Sequence, residues 1–200
     1  MKLPMDTDVA FSRAREIVLG YRASTAQLYD GSNPGPHDDV SEVDVMSLGV
    51  LNAFGGGEPS ARMGELWDNR DIIPPLVAPI TRLPLVELDA SMRRATAVEL
   101  DRLLTAVQGI HGLGGGVGAS KLIHRLRPNV APVWDRYAGT EWYGASISWT
   151  RFIEATYELV LLPENLQELT ALMREARSEF NVSVPLLRIW DILMWAEGQR

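Results

Sequence analysis

The residues best suited to chemistry lie in one segment between Gly109 and Tyr137, which reads GIHGLGGGVGASKLIHRLRPNVAPVWDRY. Six glycines lie between Gly109 and Gly118, and glycine allows positive φ angles and close approach of another backbone. Amides left without partners where a helix begins, beside the positive end of its dipole, form a site for a phosphate. The segment therefore favours phosphate binding near a single carboxylate, that of Asp135.

The helix that follows the glycines is rich in polar and basic residues. They are Ser120, Lys121, His124, Arg125 and Arg127. The same pattern also fits a simple connection between two packed helices with a solvated basic face, because a short Gly-x-Gly is a weak signal. The residue types alone leave both interpretations open.

Two amphipathic helices must position this turn. Apolar residues recur at helical spacing before it, at Met92, Ala95, Leu100, Leu103, Leu104, Val107 and Ile110. They recur after it at Ala119, Leu122, Ile123 and Leu126, until Pro128 ends the run. The pattern predicts a helix, a tight glycine hairpin and a second helix.

The hairpin resembles that of the helix-hairpin-helix DNA glycosylases, in which a Gly-hydrophobic-Gly turn binds the DNA backbone and a catalytic Asp follows the second helix. Gly112-Leu113-Gly114 fits this turn, and Asp135 lies 21 residues after Gly114. An alternative turn, Gly116-Val117-Gly118, lies 17 residues before Asp135 and fits less well. The resemblance covers Ser91 to Tyr137, and the turn lacks the proline usual in that family.

This resemblance implies double-stranded DNA with a flipped base as the partner. It implies backbone contacts from Gly112, Gly114, Gly116, Gly118, Ser120, Lys121 and Arg125. Asp135 would be the catalytic residue, because its negative charge would stabilise the oxocarbenium character that develops as an N-glycosidic bond breaks. A helix N-cap is the structural alternative for Asp135.

The expected enzyme is a monofunctional DNA glycosylase. Relatives that also cut the backbone carry a Schiff-base Lys at the position of Gly118, and Lys121 lies three residues further on. The implied substrate is a damaged or modified base, with phage-modified DNA as one source, and no residue identifies that base. The alternative is a non-catalytic helix-hairpin-helix module for DNA binding or interaction.

A flipped base needs an aromatic or apolar pocket with polar groups. The expected pocket residues are Tyr29, Asp30, Trp67, Trp134, Tyr137 and Trp142. Core packing is the alternative for these aromatics. Arg188 and Asp191 are expected to form a structural ion pair in the last helix, and Asp44 to face solvent.

The phrases ASKLIHRLRP, APVWDRYAG and LLRIWDILMWAEG extend a second resemblance over nearly the whole chain. They resemble a bacterial family of unknown function with a core of the form SKLL, RP and PVxD. This wider resemblance supplies no chemistry.

Composition narrows the functional classes. The chain of 200 residues has 46% hydrophobic content and no cysteine, and its histidines show no metal-ligand spacing. We expect no metal and no cofactor, no membrane partner, a cytoplasmic location and a monomer. The formal net charge of −7 argues against a polyanion ligand, although Gly115 to Arg151 carries a local +3.

The predicted fold is all-α, a two-lobed single helical domain over 1–200 with a central helix-hairpin-helix unit. The N-terminal lobe is 1–90, the hairpin and Asp segment 91–137, and the C-terminal helices 138–200. Helices are expected over 6–28 and at starts signalled by Ser41, Ser148, Pro163 and Pro185. NVAPVW is the only short strand candidate.

Overall fold

The protein is all-α. A computed structural model describes residues 13–21, 26–31, 35–51, 53–54, 58–110, 112–134, 143, 147–180 and 183–198. The α-helices in this part of the chain are α1 (Ala14–Tyr21), α2 (Ala26–Gly31), α3 (Glu42–Val50), α4 (Pro59–Asp68), α5 (Pro74–Val77), α6 (Ala90–Val107), α7 (Gly115–Leu126), α8 (Trp149–Val160), α9 (Pro163–Phe180) and α10 (Leu186–Gly198). Two 3-10 turns, Arg70–Ile72 and Leu85–Glu87, join neighbouring helices. No helix in the described part is both long and apolar enough to cross a membrane.

Helix starts follow the capping residues in the sequence. The Ser41 side chain accepts a hydrogen bond from the Asp44 amide, and the Asp44 carboxylate accepts one from the Ser41 amide, a complete capping box for α3. Ser148 caps α8 through the Arg151 amide. Pro163 opens α9, and α10 begins directly after Pro185. The helix starts predicted from these residues are therefore confirmed.

Two local predictions differ from the structure. The helix expected over 6–28 corresponds in the described residues to α1 and α2, while 1–12 and 22–25 lie outside them. NVAPVW is not a strand: it begins in a turn and continues without ladder pairing. The β pairing in the described part is a single antiparallel bridge between Phe54 and Leu113.

The predicted hairpin lies between α6 and α7. Gly112 and Gly115 adopt φ angles of 99° and 62°, in the region that glycine reaches without strain. The second helix, α7, begins at Gly115 because Gly115, Gly116 and Gly118 are part of the helix. This start lies four residues before Ala119, the first apolar residue of the predicted pattern. α7 then packs against α6 and α3.

α8 lies along α6 and runs in the opposite direction. The Thr150 amide, near the start of α8, donates to the Asp101 carboxylate at 3.3 Å, in the second half of α6. At the other end of this helix pair, Tyr157 of α8 and Ala90 of α6 line one groove. α10 packs against α1 and α9.

The hairpin glycines are packed tightly against neighbouring segments. A Cβ at Gly118 would lie 2.3 Å from the Ala53 carbonyl oxygen, and one at Gly112 would lie 2.4 Å from the Arg62 carbonyl oxygen. A Cβ at Gly116 would lie 2.7 Å from the ring of Trp149. These separations are shorter than any atom–Cβ contact can be, so these glycines let α4, α8 and the segment at Ala53 approach the hairpin.

We predict that Gly118→Ala destabilises the protein by about 1–3 kcal/mol, because the new methyl group must displace backbone at Ala53. The matched control is Gly64→Ala, an exposed position in α4 with no atom within 4 Å of its Cβ site. That change should be neutral or stabilise the protein by up to about 1 kcal/mol, because alanine is the better helix former. Urea denaturation measures both, and equal effects would contradict the packing role of Gly118.

Candidate functional site

The hairpin helix α7 is buried from Gly118 to Leu126. Its polar side chains are buried with it. Arg125 and Ser120 have zero exposure, His124 has 1% and Lys121 has 9%, and Arg127 just beyond the helix has zero. The interpretation of α7 as a helix with a solvated basic face is therefore wrong, and the charges of Lys121, Arg125 and Arg127 are not displayed at the surface.

Arg125 is held by the N-terminal part of the chain. Its Nε donates to the Asp44 Oδ1 at 2.7 Å, and both side chains have zero exposure. A terminal nitrogen of the same guanidinium donates to the Tyr29 carbonyl oxygen at 2.6 Å. The guanidinium also lies over the Tyr29 ring, 5.2 Å from its centroid. Asp44, expected in solvent, is thus the buried counter-ion of the hairpin helix.

Arg127 joins three segments just after α7. Its guanidinium donates to the carbonyl oxygens of His37 at 2.5 Å, Val77 at 3.0 Å and Ile80 at 3.0 Å. It also pairs with the Asp38 carboxylate. One planar cation therefore donates to carbonyl oxygens at or near the ends of short segments. The guanidinium group is suited to this use because its N–H donors are arranged as a fork.

Lys121 and Ser120 complete the internal bonding of α7. The Lys121 ammonium donates to the Leu51 carbonyl oxygen at 3.1 Å, and its own carbonyl accepts from the Tyr29 hydroxyl at 2.8 Å. The Ser120 hydroxyl donates to the Val117 carbonyl oxygen at 2.9 Å. Side chains buried in this way do not reach a DNA phosphate, so the backbone contacts predicted for the side chains of Ser120, Lys121 and Arg125 do not fit this arrangement.

The predicted hairpin glycines divide into two kinds. Gly112 and Gly118 are buried against backbone of other segments, so they serve packing. The Gly114 amide donates to the Ala53 carbonyl oxygen at 3.0 Å, and Gly114 is the N-cap of α7 without a side-chain cap. Gly115 is exposed, and Gly116 is half-buried beside Trp149. The accessible part of the hairpin is therefore the backbone where α7 begins.

The chain returns from the end of α7 to this same region at Trp134. The Trp134 amide donates to the Ser120 hydroxyl oxygen at 3.0 Å. The Trp134 ring packs edge-on against Trp149 and Phe152, with centroids 5.3 and 4.8 Å away. This aromatic cluster is half-buried core at the start of α8. Asp135, Tyr137 and Trp142 lie outside the described residues.

Tyr29 and Asp30 belong to a second buried charge cluster, centred on Arg188. The Arg188 Nε donates to the Asp30 Oδ1 at 2.8 Å, and the guanidinium also pairs with Asp191. Another nitrogen of the group donates to the Tyr21 hydroxyl at 2.7 Å, while the guanidinium lies 5.0 Å from the centroid of the Tyr29 ring. The ion pair predicted for α10 is confirmed, and Asp30 is a second partner that spacing did not indicate.

The structure does not bring together those residues of the predicted pocket that it describes. Tyr29 and Asp30 are buried at 1% and 4% exposure, against Arg188. Trp67 is half-buried on α4, where the Arg70 guanidinium lies 3.9 Å from its ring centroid. Among the described residues, no hydrogen bond or ring contact joins Trp67 to Tyr29, Asp30 or Trp134. The described residues of the predicted pocket therefore lie in three separate packing clusters, around Arg188, at Trp67 and at Trp134.

Two buried polar atoms next to these clusters lack a hydrogen-bond partner in the described part of the chain, Asp30 Oδ2 and His124 Nε2. His124 lies parallel to the Tyr29 ring at 6.4 Å, and its Nδ1 lies 2.6 Å from the Ala131 carbonyl oxygen. Burial lowers the pKa of His124 to about 3, so the ring is neutral and Nδ1 carries the donated proton. The cluster thus keeps a neutral imidazole beside two buried guanidinium groups.

Asp44, the ion-pair partner of Arg125, also bonds to the titratable side chain of His37. Burial pushes the pKa of Asp44 upward, but hydrogen bonds from His37 and Ser41 and the charge of Arg125 outweigh it and hold that pKa well below the usual range. The hydrogen bond to Asp44, at 3.1 Å, raises the pKa of His37. Among the described residues, no group of three or more His, Asp or Glu side chains could hold a metal ion.

The fold and this geometry define a class of all-helical proteins built around a buried, internally bonded hairpin helix. The chain belongs to the Family of unknown function (DUF6308), whose model matches residues 11–198. This agrees with the resemblance to a family of unknown function that the sequence phrases carry. Neither the curated proteins nor the solved structures gave a match.

We predict that Arg125→Leu destabilises the protein by about 3–5 kcal/mol, because it leaves the Asp44 carboxylate buried without its cation. Arg102→Leu is the control, since the Arg102 pair with Glu99 is exposed and should contribute less than about 1 kcal/mol. Urea denaturation followed by tryptophan fluorescence compares the two. A loss for Arg125→Leu no larger than that of the control would contradict the role assigned to this pair.

Stability should fall on acidification because His124 is neutral in the fold. Between pH 6.5, its ordinary pKa, and a folded pKa of about 3, the unfolded chain binds a proton that the folded chain does not. The expected loss is about 2–3 kcal/mol from pH 6.5 to pH 4.5, at about 1.4 kcal/mol per pH unit. His37 has the opposite shift, so its contribution is fully present below its unfolded pKa and does not produce this slope.

The variant His124→Gln isolates this effect. Glutamine keeps a donor for the Ala131 carbonyl oxygen but does not titrate, so the variant should be less stable than the parent at pH 7 and lose less on acidification. Urea denaturation at the two pH values measures both slopes. Parallel slopes for parent and variant would show that His124 is not the group responsible.

Proposed function

We propose that this protein is a monofunctional DNA glycosylase that removes a damaged or modified base from double-stranded DNA. One observation supports the proposal most directly. The chain forms the expected hairpin, with positive φ at Gly112 and Gly115, and α7 starts without a side-chain cap at an exposed glycine. The first amides of a helix have no partner within it, so this backbone is suited to a phosphate oxygen.

The proposed DNA contact differs from the one that the sequence suggested. It uses backbone amides of Gly115, Gly116 and Val117 in place of lysine and arginine side chains, because Lys121 and Arg125 are bonded inside the protein. Few cations would then neutralise DNA phosphates. We therefore expect weak binding with a shallow dependence on salt concentration.

Asp135 is the proposed catalytic residue. It follows Trp134, whose amide is bonded to Ser120 in the first half of α7, and this contact supports a catalytic segment beside the hairpin. In the proposed reaction the bond between C1′ and the base breaks, and the base leaves with the electron pair and takes up a proton. Water adds its oxygen to C1′ and loses a proton, while the carboxylate stabilises the intermediate positive charge.

The same residues argue against a lyase step. A Schiff base requires an amine that reaches the sugar, but the Lys121 ammonium donates to the Leu51 carbonyl oxygen in the interior. Gly118, which replaces the lyase Lys, is closed off by the Ala53 carbonyl oxygen. The product should therefore be an intact strand with an abasic site.

A non-catalytic DNA-binding or interaction module is the second candidate. It is favoured by the burial of Lys121, Arg125 and Arg127, which removes the surface cations that a tight DNA clasp would use. The two candidates differ in whether Asp135 is needed for base release or only for the fold.

We predict that Asp135→Asn abolishes base release while it leaves folding and DNA binding largely intact. The substitution is nearly isosteric and can still cap a helix, but it removes the negative charge. Base release is measured on labelled duplexes, each with one deaminated, oxidised, alkylated or bulky modified base, run on denaturing gels with and without hot alkali. Borohydride trapping is run in parallel.

The matched control is Asp71→Asn, at an exposed carboxylate in a 3-10 turn, which should release base as fast as the parent. Duplex binding without base release from any substrate would favour the non-catalytic module. Equal rates for Asp135→Asn and the parent would reduce Asp135 to a helix cap. Strand scission without alkali, or a trapped covalent adduct, would contradict the monofunctional assignment.

A further inference from the structure

A groove of about 520 Å³ lies between the start of α6 and one side of α8. It is closed at one side by the turn that joins α8 to α9. Its lining residues are Ala90, Arg93, Arg94, Arg151, Glu154, Tyr157, Glu158, Leu161 and Leu162. Its volume lies in the range of small-molecule sites, about 300–1,000 Å³.

Three guanidinium groups from two helices line this groove. Arg93 and Arg94 come from α6 and have no carboxylate within salt-bridge distance among the described residues, unlike most arginines of the described chain. Arg151 comes from α8 and lies 3.7 Å from the Glu154 carboxylate and 3.8 Å from the Glu158 carboxylate. The positive end of the α6 dipole lies on the same side, at Ala90. An anion with several oxygens would satisfy the donors of Arg93 and Arg94.

The rest of the lining is suited to the body of an organic ligand. Leu161, Leu162 and Ala90 supply apolar surface. The Tyr157 hydroxyl donates to the Val130 carbonyl oxygen in the core, so this side chain offers the groove its ring. Glu154 and Glu158 are acceptors for hydroxyl or amino groups of a ligand.

The groove is separate from the hairpin. α6 has 18 residues, its first turns line the groove and its last residue precedes the hairpin turn. At about 1.5 Å per residue, the two ends of the helix lie about 25 Å apart. A ligand in the groove therefore does not share residues with the proposed DNA contact.

We propose that this groove binds a small organic phosphate of about the size of a mononucleotide. The phosphate lies between Arg93, Arg94 and Arg151, where guanidinium groups donate to its oxygens in pairs. The ring or alkyl part lies on the leucines, and hydroxyl groups of the ligand donate to the glutamates. This inference goes beyond the proposed glycosylase activity and does not depend on it.

Isothermal titration calorimetry of the full chain tests the proposal with three probes, AMP, adenosine and inorganic phosphate. AMP should bind more tightly than either of the others, because it alone offers both the phosphate and the apolar body. The binding of AMP should weaken as salt is added, since the arginines are partly exposed. AMP that fails to bind, or that binds no more tightly than inorganic phosphate, would overturn the proposal.

The variant Arg93→Gln with Arg94→Gln should weaken AMP binding by at least about tenfold for each arginine removed, because a hydrogen bond to a charged group contributes about 1.5–3 kcal/mol. The matched control is Arg174→Gln with Arg177→Gln. These arginines are exposed on α9, outside the groove, and the change in net charge is identical. The control should bind AMP as the parent does.

Circular dichroism and thermal unfolding establish that both double variants are folded. Equal losses of AMP binding in the two variants would show a general charge effect and contradict a site. Duplex DNA binding, measured on the same variants, separates this proposal from the glycosylase. If Arg93→Gln with Arg94→Gln weakens DNA binding and leaves AMP binding unchanged, the groove belongs to a DNA surface and the small-molecule site is wrong.

Discussion

The ion pair between Arg125 and Asp44 is the constraint on which the rest of the structure depends. Both groups have zero exposure, so each is tolerable only because the other is present and further donors satisfy the remaining oxygens. The pair fixes α7 against α3, and the bond from Arg125 to the Tyr29 carbonyl fixes α2 as well. A shift of the hairpin helix by one residue would separate the buried Arg125 guanidinium from the buried Asp44 carboxylate. The hairpin register is therefore set by charge as well as by apolar packing.

Glycine and arginine residues stabilise the hairpin in different ways. Glycines let backbone meet backbone: the segment at Ala53 crosses α7 at Gly118, and α4 crosses the turn at Gly112. Arginines then donate to carbonyl oxygens of short segments around the hairpin helix, as Arg127 does for His37, Val77 and Ile80. Short segments ended by proline cannot satisfy all of their carbonyl oxygens internally, because proline lacks the amide donor. Buried cations in a protein of negative net charge have this structural explanation.

Local features were predictable from the sequence because local residues decide them. The capping box at Ser41, the proline start at Pro163 and the helical pattern on both sides of the glycines each depend on neighbours a few residues apart.

The burial of α7 depends on partners far away in the chain. Arg125 meets residues that precede it by 81 and 96 positions, and no periodicity reports such a distance. Trp67 illustrates the opposite case, since residue type alone placed it in a pocket, whereas its cation partner Arg70 lies three positions away in the 3-10 turn after α4.

The burial of the basic residues changes what the hairpin can offer a ligand. A helix that used its cations for phosphates would have to expose them, and it would then lose the bonds that tie α2, α3 and the segment at Leu51 to the centre of the fold. With Lys121 and Arg125 committed to the interior, the remaining positive potential near the hairpin comes from backbone amides and the helix dipole. The potential of such a site extends only a short distance, so the site selects an anion that approaches the backbone closely. Binding there depends more on the backbone geometry at Gly115 than on the net charge of the protein. The acidic character of the whole chain and a phosphate contact at one helix start are therefore compatible, because the two act over different distances.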